Sequence, residues 1–249
     1  MNVDLDELRE KLAYVDKEKV TIVFFGQPGS GKSSTINAIC GMQVAEVGVS
    51  TDTTVGVKVI EHGDLLFVDL PGYGTDKFPK DEFFAKFNPL QYDLFICVFA
   101  DKLHKADTEF FQLLRNLHKP CIFVRNKTDE IYDEDKTLEQ SEDDIRKDVI
   151  QQVGTTDFTL LFISARDDMK LGIAALNDAI MDKMDAKKKK KYILEAEART
   201  EEQLNKKKEA ALRYVKRSST YAAFNGLNPA LGVDAAIDIA ILYQLYSNI

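Results

Sequence analysis

Long apolar runs are missing from this 249-residue chain. No stretch reaches the roughly 20 uncharged apolar residues that a transmembrane helix needs, so no such helix is expected. The N-terminus is acidic and lacks the apolar segment of a signal peptide, and Asn2 replaces the glycine that myristoylation requires. We therefore expect a cytoplasmic protein.

Cysteine and histidine are also scarce, with three residues of each. Cys40, Cys97 and Cys121 have no CxxC spacing and lie in or beside apolar runs, which predicts buried free thiols in a reducing compartment. The histidines are scattered without metal-ligand spacing, and no Ser-His-Asp or paired-carboxylate arrangement stands out. These absences exclude a disulfide scaffold and argue against a metal site of the zinc type.

Positive charge is in deficit overall but concentrated in one place. The chain has 33 basic and 41 acidic residues, a formal net charge of −8, which argues against a general nucleic-acid binder. Residues 186–217 nevertheless carry 12 basic and 5 acidic residues, so the rest of the chain carries −15. This break in charge indicates that the chain has two parts.

The first part alternates apolar runs with segments of helical period. The apolar or β-branched runs predict strands buried on both faces, as in a parallel sheet; they are residues 20–25, 65–69, 94–99, 121–126 and 160–164. The segments of helical period are residues 33–40, 106–118, 142–152 and 171–184. This alternation predicts a doubly wound, mostly parallel α/β sheet, in which residues 55–61 form one antiparallel hairpin through His62-Gly63.

The two ends of the chain predict an all-helical extension. Residues 3–17 have mixed three- and four-residue apolar spacing, and residues 186–217, without Pro or Gly, predict one long exposed helix. Residues 233–246 are apolar over most of their circumference, which favours burial in a small helical bundle over lying on a membrane. We therefore divide the chain into an N-terminal helix (1–18), an α/β domain (19–185) and a C-terminal helical region (186–249).

The strongest chemical signal is a glycine-rich loop between the first strand and the first helix. Residues 26–33 read G-Q-P-G-S-G-K-S and fit the pattern G-x-x-x-x-G-K-[ST]. In this pattern backbone N–H groups and a helix N-terminus surround phosphate oxygens, Lys32 reaches the β- and γ-phosphates, and the Ser33 hydroxyl ligates Mg²⁺. The predicted phosphate-binding residues are Gly26, Pro28, Gly29, Ser30, Gly31, Lys32, Ser33 and Ser34.

Two further loops would complete the phosphate end of the site. Asp69 ends the second parallel strand, where it can hold Mg²⁺ through water, and Gly72 can donate its N–H to a γ-phosphate. The second of these loops lies between the phosphate loop and Asp69, and it should supply a mobile threonine, the switch threonine, that ligates Mg²⁺. Thr54 is favoured, and Thr53 stays an alternative.

Two more segments, residues 126–129 and 164–166, predict which base the site binds. Asp129, in Asn126-Lys127-Thr128-Asp129, can accept two hydrogen bonds from guanine N1–H and N2–H₂, which adenine does not offer. Asn126 can tie this loop to the phosphate loop, and the stem of Lys127 can cover the base. The small residues of Ser164-Ala165-Arg166 let backbone N–H groups approach the guanine O6.

In this order the motifs resemble the Ras-like regulatory GTPases over residues 19–185. More narrowly, several segments resemble the immunity-related (interferon-inducible) GTPases; they are residues 68–74, 78–79, 92–96, 123–127 and 228–233. The resemblance implies a role in hydrolysis for an acid two residues before the switch threonine, which here is Asp52, one methylene shorter than the glutamate of the family. Tyr73 stands where Ras-type proteins carry a water-orienting glutamine, so another group or a partner must complete the site.

The resemblance implies a Mg²⁺-dependent enzyme that hydrolyses GTP to GDP and phosphate, with Lys32, Thr54, Asp52 and Gly72 as catalytic groups. It also implies nucleotide-dependent self-association through the GTPase domain, of the dynamin-like type. The lysines at 187–191 and 206–208 offer a contact to anionic lipid, although a solvated helix face explains them as well. Two alternatives stay open: an Era-like ribosome-associated GTPase, and a nucleotide-gated scaffold that does not hydrolyse GTP.

Overall fold

The computed structural model describes residues 19–45, 58–70, 88–166 and 170–225, without the side chains of residues 214 and 216–225. Its sheet has six strands in the order β2-β3-β1-β4-β5-β6. These are β1 (Val20–Phe25), β2 (Lys58–His62), β3 (Leu65–Asp69), β4 (Leu94–Phe99), β5 (Cys121–Arg125) and β6 (Thr159–Phe162). All neighbours pair in parallel except β2, which runs antiparallel to β3. The predicted mostly parallel sheet is confirmed.

Six α-helices lie within the described residues. They are α1 (Lys32–Cys40), α2 (Lys105–Asn116), α3 (Leu138–Val153), α4 (Ile173–Asp182), α5 (Ala186–Glu195) and α6 (Glu201–Asn225). In this part of the chain every helix is too short or too polar to span a lipid bilayer. The predicted helices at 1–18 and 233–246 lie outside the described residues, as do residues 55–57 of the predicted hairpin.

Two apolar layers cover the two faces of the sheet. Alternate residues of each strand point to opposite faces, so Ile22 and Phe24 face α1, α4 and α5, whereas Val23 and Phe25 face α2 and α3. The ring of Phe25 packs edge-on against Phe110 of α2, with centroids 4.8 Å apart. The three cysteines are buried and unpaired, as predicted.

The prediction of one long exposed helix over 186–217 is wrong. The structure has two helices, α5 and α6, separated by residues 196–200. Tertiary hydrogen bonds stabilise the break: the Glu197 N–H donates to the Ile39 carbonyl at 2.9 Å, and Arg199 donates to the Ala38 carbonyl at 2.7 Å. Because Ala38 and Ile39 lie in the last turn of α1, these two donors satisfy carbonyls that the helix itself leaves unpaired. Since these bonds join residues far apart in the chain, the local sequence, which lacks Pro and Gly, does not reveal the break between the two helices.

Helix α5 is also not exposed along its whole length. Tyr192 is 1% exposed and belongs to the apolar layer beneath α1 and α4. Its hydroxyl donates to Asn177 Oδ1 of α4 at 2.7 Å. The side chain therefore joins α5 to the core of the α/β sheet.

Replacing Tyr192 by alanine should lower the free energy of unfolding by about 3–5 kcal/mol, the range for truncating a large buried aromatic residue. Tyr192→Phe keeps the ring and loses only the bond to Asn177, so it should cost about 1 kcal/mol. Denaturant unfolding followed by circular dichroism measures both values. A loss below about 0.5 kcal/mol for Tyr192→Ala, as at a surface site, would show that α5 does not pack on the sheet.

Candidate functional site

The glycine-rich loop lies at the carboxyl edge of the sheet, between β1 and α1. Gly26 has φ +129°, and a Cβ there would lie 2.0 Å from the Val98 carbonyl oxygen of β4. Gly31 has φ +93°, and a Cβ would lie 2.1 Å from Nδ2 of Asn126. Both positions therefore require glycine, on conformational and on steric grounds. The close packing holds the loop against two neighbouring strand ends.

The other predicted loop residues lie where the motif requires. Pro28 and Gly29 are exposed at the tip of the loop, while Ser30 is buried and its hydroxyl has no hydrogen-bond partner in the described part of the chain. Ser33 and Ser34 lie in the first turn of α1. The N-terminus of this helix, with its unpaired N–H groups and positive dipole end, is suited to bind an anion.

The ammonium group of Lys32 lies against the backbone of the phosphate loop. Its Nζ donates to the carbonyls of Gly26 and Gln27 at 3.0 and 3.3 Å and lies 3.9 Å from Asp69 Oδ1. Burial lowers the pKa of Lys32, while the negative charges of Asp69 and Asp107 raise it in opposition. The result is a cation held at the loop by nearby acids, which a phosphate can engage as a point charge.

Ser33 and Asp69 meet at the start of α1. The Ser33 hydroxyl donates to Asp69 Oδ2 at 3.3 Å, and Asp69 Oδ1 has no hydrogen-bond partner within the described ranges. Burial raises the pKa of Asp69, which Lys32 and Ser33 counteract. A hydroxyl oxygen and a buried carboxylate oxygen are hard ligands, and Mg²⁺ binds such oxygens together with phosphate oxygens. The pair therefore fits the predicted Mg²⁺ site.

Further residues are predicted to bind Mg²⁺ or to act in hydrolysis. Asp52, Thr53, Thr54 and Gly72 lie outside the described residues, as does Tyr73. No group of three or more His, Cys, Asp or Glu residues is arranged as a metal cluster in the segments that the structure describes. A site with one carboxylate is consistent with this, because Mg²⁺ in nucleotide sites takes few protein ligands.

Asn126 links three loops at the carboxyl edge. Its Nδ2 donates to the Ser30 carbonyl at 2.9 Å, and its Oδ1 accepts from the Ala165 N–H at 3.1 Å. The Thr128 N–H donates to the Ile163 carbonyl at 3.0 Å, which fixes the loop after β5 to the loop after β6. The predicted tie from Asn126 to the phosphate loop is confirmed, and the segments at 126–129 and 164–166 come together.

Asp129 is paired with Arg166, a contact that the sequence did not predict. Arg166 Nη1 lies 3.1 Å from Asp129 Oδ2; the acid side chain is 3% exposed and the arginine 56%. The nearby Ser164 hydroxyl and then Arg166 lower the pKa of Asp129, which keeps it an acceptor. Asp129 Oδ1 is buried without a hydrogen bond of good geometry in the described part. Lys127 adopts φ +59° beside it.

Comparison with known proteins gives a family match over nearly the whole chain. The model of the family "Interferon-inducible GTPase (IIGP)" matches residues 4–243. Interferon-inducible GTPase 1 of Mus musculus is 24% identical over 223 residues, covering 81% of this chain and 53% of that protein. The chain thus spans about half the length of the curated relatives it matches.

Two further matches lie outside the interferon-inducible proteins. A probable GTP-binding protein EngB of Petrotoga mobilis is 30% identical over 131 residues, covering 48% of this chain and 66% of that protein. The crystal structure of a probable GTP-binding protein engB gives a TM-score of 0.48 at 22% identity, covering 66% of this chain and 98% of that one.

Proposed function

The chain belongs to the interferon-inducible GTPase family, and from this membership we propose that residues 19–185 bind GTP with Mg²⁺ and hydrolyse it to GDP and phosphate. One observation carries the proposal: Asn126 contacts both the Ser30 carbonyl and the Ala165 N–H. The phosphate loop with Lys32 and the segment that contains Asp129 therefore lie at one edge of the sheet, which supports the proposal.

We assign the following roles to described residues at the phosphate end and the base end of the site. The N–H groups of residues 29–33 and the Lys32 ammonium hold the β- and γ-phosphates. Ser33 and Asp69 would hold Mg²⁺, whose charge would offset the negative charge that develops on the phosphate oxygens. Asp129 accepts the two donors of guanine once the half-exposed Arg166 turns aside, and the donors of the base then replace the arginine at the buried carboxylate.

Residues outside the described part complete the proposed site. We assign Thr54, with Thr53 as the alternative, to Mg²⁺, and Gly72 to the γ-phosphate. Asp52 is the acid of this chain proposed to assist hydrolysis. Because Tyr73 replaces the usual glutamine, we propose that a second copy of the chain completes the site through a nucleotide-dependent dimer of the GTPase domains.

We further propose that the protein is cytoplasmic and that residues 186–249 form a helical region together with residues 1–18. For the basic stretch to contact anionic membranes, several of its lysines would have to leave acidic partners within the chain. Lys188 Nζ already lies 2.5 Å from Asp93 Oδ1, Lys189 Nζ lies 3.5 Å from Asp182 Oδ1, and Lys191 Nζ lies 3.9 Å from Asp64 Oδ2. At least three of the five lysines at 187–191 thus have acidic partners within the chain.

A nucleotide panel tests the proposed function. GDP and GTP with Mg²⁺ should bind on the order of a hundredfold or more tightly than ADP and ATP, since adenine lacks the two donors that Asp129 reads. Isothermal titration measures the affinities, and phosphate release at rising protein concentration measures turnover. Equal binding of the two bases would contradict the guanine site.

The turnover measurement distinguishes dimer-assisted hydrolysis from a nucleotide-gated scaffold that does not hydrolyse GTP. Specific activity that rises through the micromolar range supports dimer-assisted hydrolysis, and flat activity argues against it. Binding of GTP without phosphate release above a Lys32→Ala blank would leave only the nucleotide-gated scaffold.

A further inference from the structure

One ion pair connects the two segments that are proposed to contact the base. Arg166 Nη1 donates to Asp129 Oδ2 at 3.1 Å. Asp129 belongs to the segment of residues 126–129, and Arg166 belongs to the segment of residues 164–166. The contact therefore crosses the space between the two segments, which is where a guanine base would have to bind.

The two partners of this pair differ in their exposure to solvent. The side chain of Asp129 is 3% exposed, whereas that of Arg166 is 56% exposed. Because the shielded acid is bonded to the exposed arginine, the guanidinium lies on the solvent side of the carboxylate. A base that arrives from solvent therefore meets Arg166 before it meets Asp129.

The guanidinium group also resembles the edge of guanine that Asp129 is proposed to bind. Guanine presents N1–H and the N2 amino group as donors around one ring carbon, and a guanidinium presents N–H donors around its central carbon in a similar planar arrangement. Both arrangements suit the two oxygens of a carboxylate. In the described part of the chain Oδ2 accepts from Arg166, while the buried Oδ1 has no hydrogen-bond partner. Arg166 thus occupies one of the two oxygens that guanine requires.

We propose that Arg166 is an internal competitor of guanine, which binds the Asp129 carboxylate in place of the base and thereby lowers the affinity for guanine nucleotides. This inference rests on the proposed function, since it concerns the base end of the same site. Only molecules in which the pair is broken accept the base, so the apparent affinity falls in proportion to their fraction. A pair formed in about nine molecules of ten weakens binding about tenfold. Because the pair has to break before the base enters, the loss lies in the association rate.

The test measures nucleotide binding by Arg166→Ala in the full chain, with GDP and ADP as probes in the presence of Mg²⁺. We expect the variant to bind GDP about tenfold more tightly than the wild type through faster association, with the dissociation rate unchanged. Affinity for ADP should stay the same, because adenine lacks the two donors that compete with the arginine. Isothermal titration gives the affinities, and stopped-flow mixing with a fluorescent GDP analogue gives the rates.

The expected direction of the change distinguishes competition from a general effect of charge. Loss of a positive charge would by itself weaken the binding of an anionic nucleotide and slow its association, so a gain in affinity identifies the competition. Arg166→Gln removes the charge but keeps much of the length of the side chain. It should show a gain in the same direction, and it serves as the test should Arg166→Ala fail to fold.

Arg213→Ala is the matched control, because it removes an exposed arginine that pairs with Glu209 on α6. It makes the same change of residue and charge and should leave GDP affinity unchanged. Equal or weaker GDP binding by the Arg166 variants would overturn the proposal, since the arginine would then have no effect on the carboxylate or would support it. A gain that lies in slower dissociation alone, or that is equal for GDP and ADP, would also overturn it. A wild-type chain that does not prefer GDP to ADP would instead contradict the proposed function.

Discussion

Replacing Lys32 by alanine is expected to reduce the rate of GTP hydrolysis by two to three orders of magnitude. The ammonium is the described cation nearest the phosphate end of the site, 3.9 Å from Asp69 and bonded to two loop carbonyls. Removing one donor aimed at charge that develops during reaction costs about 3–4 kcal/mol. Ground-state binding should lose less, about 1.5–3 kcal/mol for a bond between charged groups. Single-turnover phosphate release and titration with GDP measure the two losses separately.

Lys147→Ala is the control for the Lys32 experiment, because this lysine is 75% exposed on α3 and, among the described residues, pairs with the surface acid Asp144. It should change neither turnover nor binding, since exposed pairs contribute about 0–1 kcal/mol. The melting temperature in the presence of GDP adds a second readout, because a bound ligand stabilises the fold by mass action. If Lys32→Ala hydrolyses GTP as fast as the wild type, the loop is not the catalytic phosphate site.

Replacing Asp129 by asparagine should change which base the protein prefers. Guanine presents two adjacent donors, and the carboxylate of Asp129 accepts both. Asparagine offers one acceptor and one donor, which matches xanthine, where an oxygen replaces the amino group at C2. GTP affinity should fall on the order of a hundredfold, because a donor of the base then faces a donor of the protein. Xanthosine triphosphate should bind the variant more tightly than GTP does.

Asp133→Asn is the matched control for the base-reading experiment, since Asp133 is a half-exposed acid four residues further along the same segment. It makes the same change of charge and should leave the preference for guanine intact. Competition titrations with GTP, xanthosine triphosphate and ATP give the three affinities for each variant. A variant at Asp129 that still prefers GTP over xanthosine triphosphate would show that another group reads the base.

The sheet could be predicted because each strand carries its own signal. The runs at 20–25, 65–69 and 94–99 coincide with β1, β3 and β4, since central parallel strands are apolar on both faces. The Asn126 tie could be predicted because the loops that follow neighbouring parallel strands share one edge. The start of α3 at Leu138, four residues before the predicted helix, depends on the Thr137–Gln140 capping box, which the apolar pattern does not show.

Features that depend on distant contacts could not be predicted from local patterns. The break between α5 and α6 is held by carbonyls of α1, more than 150 residues earlier in the chain. The pairing of Asp129 with Arg166 joins loops 37 residues apart. Asp107 lies in an amphipathic helix, and only its burial in the folded chain, at 1% exposure, distinguishes it from the other acids of the sequence.

The packing of Tyr192 has a practical consequence for anyone preparing the nucleotide-binding part alone. A fragment that ends at residue 185 would leave the apolar surface beneath α1 and α4 open to water, and would lose the donors that Glu197 and Arg199 give to the last turn of α1. An uncovered apolar surface of this kind promotes aggregation. The shortest fragment that keeps these contacts runs through Arg199. One that runs through Gln203 also keeps the hydrogen bond from the Gln203 side chain to the Ala174 carbonyl in the first turn of α4.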